Sequence, residues 1–119
     1  MPAKIINTTK NTVLAERAEI ANTFWLRLKG LLGKRQLEPN TGLILNPCNS
    51  IHTFFMRFPI DAAFVDSQNK IIKAYYALPA WRASGMFFNS SLCIEFPSGT
   101  LLTSGTEIGD YIRISPSSA

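Results

Sequence analysis

Cys48, His52, Arg57 and Asp61 fall close together in the run CNSIHTFFMRFPIDAAFVD, which also holds the only histidine of the chain and four phenylalanines. A cysteine and a histidine four residues apart can supply a thiolate nucleophile and its general base. Such a cysteine needs an accessible, electropositive setting, and Asn46-Pro47 before Cys48 with Asn49 after it puts it in a loop. Asp61 and Glu95 are the carboxylates available to orient the base, and nothing in the spacing selects either. Cys48, His52 and Met56 also form a nitrogen and sulfur set of the kind a soft ion such as Cu(I) prefers. On an ideal strand His52 and Met56 lie about 13 Å apart, too far to share an ion. No metal site, no cofactor and no assigned catalytic residue are therefore expected, and Cys48 stands as the alternative nucleophile beside a structural reading.

Arg57, Asp61 and Glu95 are charges set in apolar runs. Buried charges have to be paired, so Arg57 is expected as a buried cation bridged to Asp61 or Glu95. The competing reading is a polar set that grips a ligand, with His52, Arg57, Asp61, Trp81, Arg82 and Glu95 as its candidates. Trp81 and Arg82 belong to LPAWRASGMFFNSS, a stretch without clean periodicity between Leu78 and Ser91. Loops of that length in a small domain are usually functional.

Extended structure from Ile51 to Met56 would point Ile51, Thr53 and Phe55 one way and His52, Phe54 and Met56 the other, leaving His52 half-buried among apolar groups. Pro59 ends that strand by pushing Phe58 out of helical space. The β-branched and aromatic content of 60–65 and 71–77, on either side of Asp66-Ser67-Gln68-Asn69, predicts a hairpin. Further strands are expected over 4–8, 13–20, 43–45, 92–96 and 111–115. Phe24, Trp25, Leu28, Leu31 and Leu32 share one helical face behind an Asn22 or Thr23 cap, which predicts a helix over 23–32 ended by Gly33. About eight short strands and one helix argue for a mainly β fold, a small antiparallel sandwich or barrel with the helix plugging one side or end.

The chain has 119 residues, 46% hydrophobic and 17% charged, with a net charge of +4. That is one domain, taken as 1–114, with a disordered tail at 115–119. The N-terminus has no apolar core behind a basic cap, and no stretch nears a membrane span, so a cytoplasmic protein with Cys48 and Cys93 as thiols is expected. Arg27, Lys29, Lys34 and Arg35 form a run without acids that a macromolecular partner could use, although a helix C-terminus favours cations in any case. Neither a phosphate-binding glycine loop nor the interleaved basic and aromatic strands of RNA binders occur.

Arg27-x-x-Gly30-Leu31-Leu32-Gly33, Gly42-Leu43-Ile44-Leu45, His52-x-Phe54-Phe55-Met56, Asp61-x-x-Phe64-Val65-Asp66, Glu95-x-Pro97-x-Gly99-Thr100 and Gly109-Asp110 follow one another in an order that resembles the DUF192 family, also called UPF0127. The resemblance covers about 13–114 and implies a compact β-sandwich or jelly-roll-like fold without an established activity. The reading taken forward is a non-enzymatic β domain that binds a small molecule or a protein in a cleft between the His52–Asp61 corner and the 78–91 loop. Its alternatives are a hydrolase or transferase using Cys48 and His52, and an interaction protein using the 27–35 run. A monomer is expected, without nucleic-acid or membrane partners.

Overall fold

A strand buried at every position must lie inside a sheet with both faces covered, and β4 (Ile60–Val65) is such a strand. The computed structural model of the chain describes residues 2–23 and 36–117. Among these, β1 (Ala3–Asn7), β2 (Thr12–Ala21), β3 (Thr41–Leu45), β4, β5 (Ile71–Leu78), β6 (Leu92–Pro97) and β7 (Ile112–Pro116) form one sheet in the order β5-β4-β6-β3-β2-β1-β7. A short helix, α1 (Thr100–Thr103), precedes β7. The sheet curls into a half-barrel.

The fold is mainly β, as expected, with one departure in its pairing. β2 and β3 run parallel, Arg17 facing Thr41 and Ala21 facing Leu45. Parallel neighbours need a crossover connection, and residues 22–40 lie between β2 and β3 in the sequence. The expected helix and the basic run Arg27 to Arg35 fall on 24–35, outside the described residues.

Side-chain alternation sends two apolar sets to opposite faces of the sheet. Ile5, Leu14, Ile44, Ala63, Val65, Ile71, Ile94, Phe96, Leu101 and Ile112 belong to one core, to which every strand contributes and which lies inside the curl. Leu45, Ile60, Ala62, Phe64, Leu78 and Cys93 form the second core on the other face of β3–β6. Ile51 and Met56, from the segment between β3 and β4, cover it.

The expected hairpin is present as β4–β5. Asp66 Oδ1 closes its turn by accepting the Gln68 and Lys70 N–H groups at 2.9 and 3.0 Å. The two sheet edges approach each other at one end, where Lys70 bridges Tyr111 and the Ile71 N–H donates to the Asp110 carbonyl at 2.8 Å. That contact covers part of two strand edges that would otherwise be open to pairing with another chain. Asp110 is buried there and accepts hydrogen bonds from Asn7 Nδ2 at 2.9 Å and Lys10 Nζ at 2.9 Å, which gives the Gly109-Asp110 motif a structural purpose. The last strand runs further than its sequence suggests. Ser115 and Pro116 pair with Lys4 and Ala3 of β1 and so belong to the sheet, not to a tail.

Candidate functional site

The six ligand-gripping candidates separate into three places. Asp61 is the first, and its carboxylate is 1% exposed. Alternation along β4 turns it to the inside of the curl, opposite its neighbours Ile60 and Ala62. Its Oδ1 accepts the Ala77 N–H at 2.8 Å, and its Oδ2 accepts the N–H groups of Gly99 at 3.1 Å and Leu101 at 2.9 Å. Ala77 sits where the β4–β5 register slips, with φ 50, so its N–H has left the ladder and needs another acceptor. Gly99, at φ 97, starts α1 in a left-handed conformation that suits glycine. Asp61 thus ties a strand irregularity to the first turn of α1 and faces no cleft.

Arg57 is exposed, which corrects the expectation of a buried cation. The ion pairs among the described residues join Lys4 to Glu16, Lys10 to Glu107 and Asp110, and Arg17 to Glu19. Neither Asp61 nor Glu95 pairs with Arg57. Three backbone donors satisfy Asp61 without a cation, which removes the electrostatic reason to pull Arg57 inside. Arg57→Met is therefore expected to change the unfolding free energy by less than about 1 kcal/mol, as for exposed charges generally. Urea melts of the two proteins check this, and a loss of several kcal/mol would restore the buried pair.

The second place is a surface platform made by two interlocked loops. Thr53 is its buried hub. Its N–H donates to the Arg82 carbonyl at 2.7 Å and its carbonyl accepts the Trp81 N–H at 2.9 Å. Its hydroxyl donates to the Pro79 carbonyl at 2.6 Å and accepts the Arg82 N–H at 2.9 Å. His52 forms an isolated bridge with Ala83, and the Ser84 N–H donates to the Ile51 carbonyl at 2.9 Å. The 79–84 segment therefore lies along 51–53 as a short extra ladder. Ile51 and Thr53 point inward while His52 and Phe54 point outward.

The expected alternation then breaks at Phe55, which has φ 65. Phe55 stays outside and Met56 turns in, so the strand expected over 51–56 is a bridge followed by a turn. His52 is accordingly exposed, not half-buried. Its ring stacks on Phe54 with centroids 5.0 Å apart, Phe54 lies 6.2 Å from Trp81, and Phe55 meets Trp81 edge-on at 4.6 Å. Phe55 is 68% exposed and Trp81 55%. Trp81 also has φ 65. Arg57 and Arg82 are exposed beside the rings in the chain. Phe54 and Phe55 were hidden to sequence reasoning because an aromatic strand residue is ordinarily core, and no local signal marks a left-handed phenylalanine.

Glu95 and Cys48 define the third place. Cys93 and Glu95 are two apart on β6 and so point to the same face, toward the second core. Cys48 packs against that core from the loop after β3, close enough to Cys93 to help raise its thiol, after burial, well above the ordinary range. Glu95 is 3% exposed. Burial first, and then the charge of Cys48, pushes its carboxyl up to about 8, so it is protonated at neutral pH. Cys93 as the partner of Cys48 could have been found by following β6 parity from Glu95, but only with β3 and β6 known to be adjacent.

His52 is poorly arranged to activate Cys48. Its Nδ1 accepts the Phe54 N–H at 3.2 Å, which occupies the lone pair that a neutral imidazole would use as a base. The Cys48 thiol donates to the Ser50 carbonyl at 3.2 Å. Among the described residues no group of three or more histidine, cysteine, aspartate or glutamate side chains is placed to hold a metal ion. No helix among them is long and apolar enough to cross a membrane.

The model of the DUF192 family, described as Uncharacterized ACR, matches residues 5–114. A UPF0127 protein of Thermococcus sibiricus is 35% identical over 116 residues, covering 91% of this chain and 72% of that protein. A UPF0127 protein of Pyrococcus horikoshii is 31% identical over 115 residues, covering 92% of this chain and 96% of that protein. Among solved structures, a protein of unknown function from Novosphingobium aromaticivorans matches with a TM-score of 0.78 at 19% identity, covering 95% of this chain and 84% of the other. At that identity the likeness concerns the fold.

Proposed function

The chain belongs to the DUF192 family, and since that membership carries no assigned chemistry, we propose from geometry that it is a non-enzymatic binding domain whose platform of His52, Phe54, Phe55 and Trp81 takes a small, planar, anionic molecule. The observation that carries this reading is the pair of exposed aromatic residues at φ 65, Phe55 and Trp81, in contact with each other. A left-handed conformation costs a residue with a side chain roughly 1–2 kcal/mol, and such strain persists where the surroundings enforce it, often at ligand sites. Here the interlocked loops enforce it, and its effect is to hold large apolar rings in water. Exposed rings in contact are suited to stacking on a flat ligand, and Arg57 and Arg82 favour a negative charge on it. The molecule acts as a monomer in the cytoplasm in this reading, with its two cysteines reduced.

A thermal-shift panel of aromatic carboxylates and nucleoside monophosphates tests the proposal, because a ligand specific to the folded state raises the apparent stability. At least one compound is expected to raise the Tm of the wild type and to lose that effect with Trp81→Ser. Phe55→Gly is expected to weaken the same response while leaving intrinsic stability unchanged or higher by up to about 1 kcal/mol, since it releases the left-handed strain. A panel without hits, or hits that persist in both variants, would overturn the platform as the site.

A further inference from the structure

We propose that Cys48 and Cys93 form a peroxide-reactive thiol pair, which a hydroperoxide converts to an intramolecular disulfide and a dithiol reductant restores. The two residues are far apart in sequence, and two backbone contacts and one side-chain hydrogen bond bring them together. Leu45 pairs directly with Cys93 across β3 and β6. The Cys48 N–H donates to the Ser91 carbonyl at 3.1 Å, and the Ser90 hydroxyl donates to the Cys48 carbonyl at 2.8 Å. These contacts stitch the loop that carries Cys48 to the entry of β6. Both side chains then belong to the second core, Cys93 within it and Cys48 packed against it, close enough for the Cys48 sulfur to help raise the Cys93 thiol.

The two sulfurs differ in access, which orders the steps. Cys48 is half-buried and Cys93 is fully buried. Burial, followed by the nearby Cys48 sulfur, holds the Cys93 thiol well above its ordinary range, so it stays protonated while the oxidant meets Cys48. The Cys48 thiol gives up its proton and the thiolate attacks one peroxide oxygen; the O–O bond breaks, a sulfenic acid forms, and the departing hydroxide takes up the proton that the thiol released, leaving as one water. The Cys93 sulfur then attacks the Cys48 sulfur, the S–O bond breaks, and the departing hydroxide takes the Cys93 proton to give a second water. Both thiols lose one electron each to sulfur–sulfur bonding, and the peroxide is reduced to water. This chemistry needs neither His52 nor the aromatic platform.

The test is intact-protein mass spectrometry of the whole chain, reduced, treated with hydrogen peroxide and then alkylated with N-ethylmaleimide. The wild type is expected to lose about 2 Da, to take up no maleimide, and to recover both alkylation sites after dithiothreitol. Cys93→Ser is expected to stop at a Cys48 sulfenic acid that dimedone captures. Two maleimides on the peroxide-treated wild type, oxygen added to its cysteines without a disulfide, or a covalent dimer would each overturn the proposal. The wild-type measurement stands alone if Cys93→Ser fails to fold.

Discussion

Glu95→Gln is expected to remove a loss of stability that the wild-type protein undergoes as pH rises from about 4.5 to about 8. The carboxyl is pushed up to about 8 in the folded protein, from an ordinary value of 4.5, because burial on β6 denies its charge a hydration shell. Below pH 4.5 it is neutral in both the folded and the unfolded chain, and no penalty arises. Across the window the unfolded chain releases the proton while the folded protein keeps it. The unfolded state then binds fewer protons, so stability falls as pH rises. Above about 8 both forms are ionised and the penalty is complete. At about 1.4 kcal/mol per pH unit the ceiling is roughly 5 kcal/mol, and 3–5 kcal/mol is the order of effect expected.

Glutamine keeps the shape and cannot ionise. Any cost of burying its amide is the same at every pH and moves the curve without changing its slope. The readout is therefore the difference between the two proteins in urea melts at pH 4, 6 and 8, in which contributions from other carboxylates cancel. That difference is expected to move in favour of the variant by several kcal/mol from the lowest to the highest pH. Parallel curves would show that Glu95 ionises freely in the folded state.

Asp61→Ala is the second large effect, a loss of about 3–5 kcal/mol at neutral pH. The substitution leaves the N–H groups of Ala77, Gly99 and Leu101 without their acceptor. A buried donor left unsatisfied costs about 1–3 kcal/mol. The Leu101 bond is fully buried and carries the larger share, while the other two are partly buried and recover some of their loss from water. Asp61→Asn retains one acceptor oxygen and is expected to cost less than alanine, though it sets an NH2 against a backbone donor. Hydrogen exchange supplies an independent readout, since the Leu101 amide should lose protection in Asp61→Ala beyond what global destabilisation explains. A cost below about 1 kcal/mol for Asp61→Ala would falsify the tethering role.

Asp61 and Arg57 show what local sequence can and cannot convey. An aspartate and an arginine four residues apart among phenylalanines look like an ion pair, because a buried carboxylate is usually thought to need a cation. Here its partners lie 16, 38 and 40 residues further along the chain. They are backbone amides freed by a register slip and by the start of a short helix, and no side-chain pattern announces either. With the carboxylate already satisfied, Arg57 remains in water.

What the sequence determined by itself is the local part of the fold. Turn chemistry at Asp66–Asn69 and the β-branched runs on either side specify the β4–β5 hairpin, and both β4 and β6 read correctly as strands. The order of short motifs likewise pointed to the family. Tertiary structure alone decided which charges are inside, which rings are outside, and that Cys48 meets Cys93. Burial and contact depend on neighbours supplied by distant strands and on backbone angles such as those of Phe55 and Trp81, whereas side-chain alternation and turn preference extend over only a few residues.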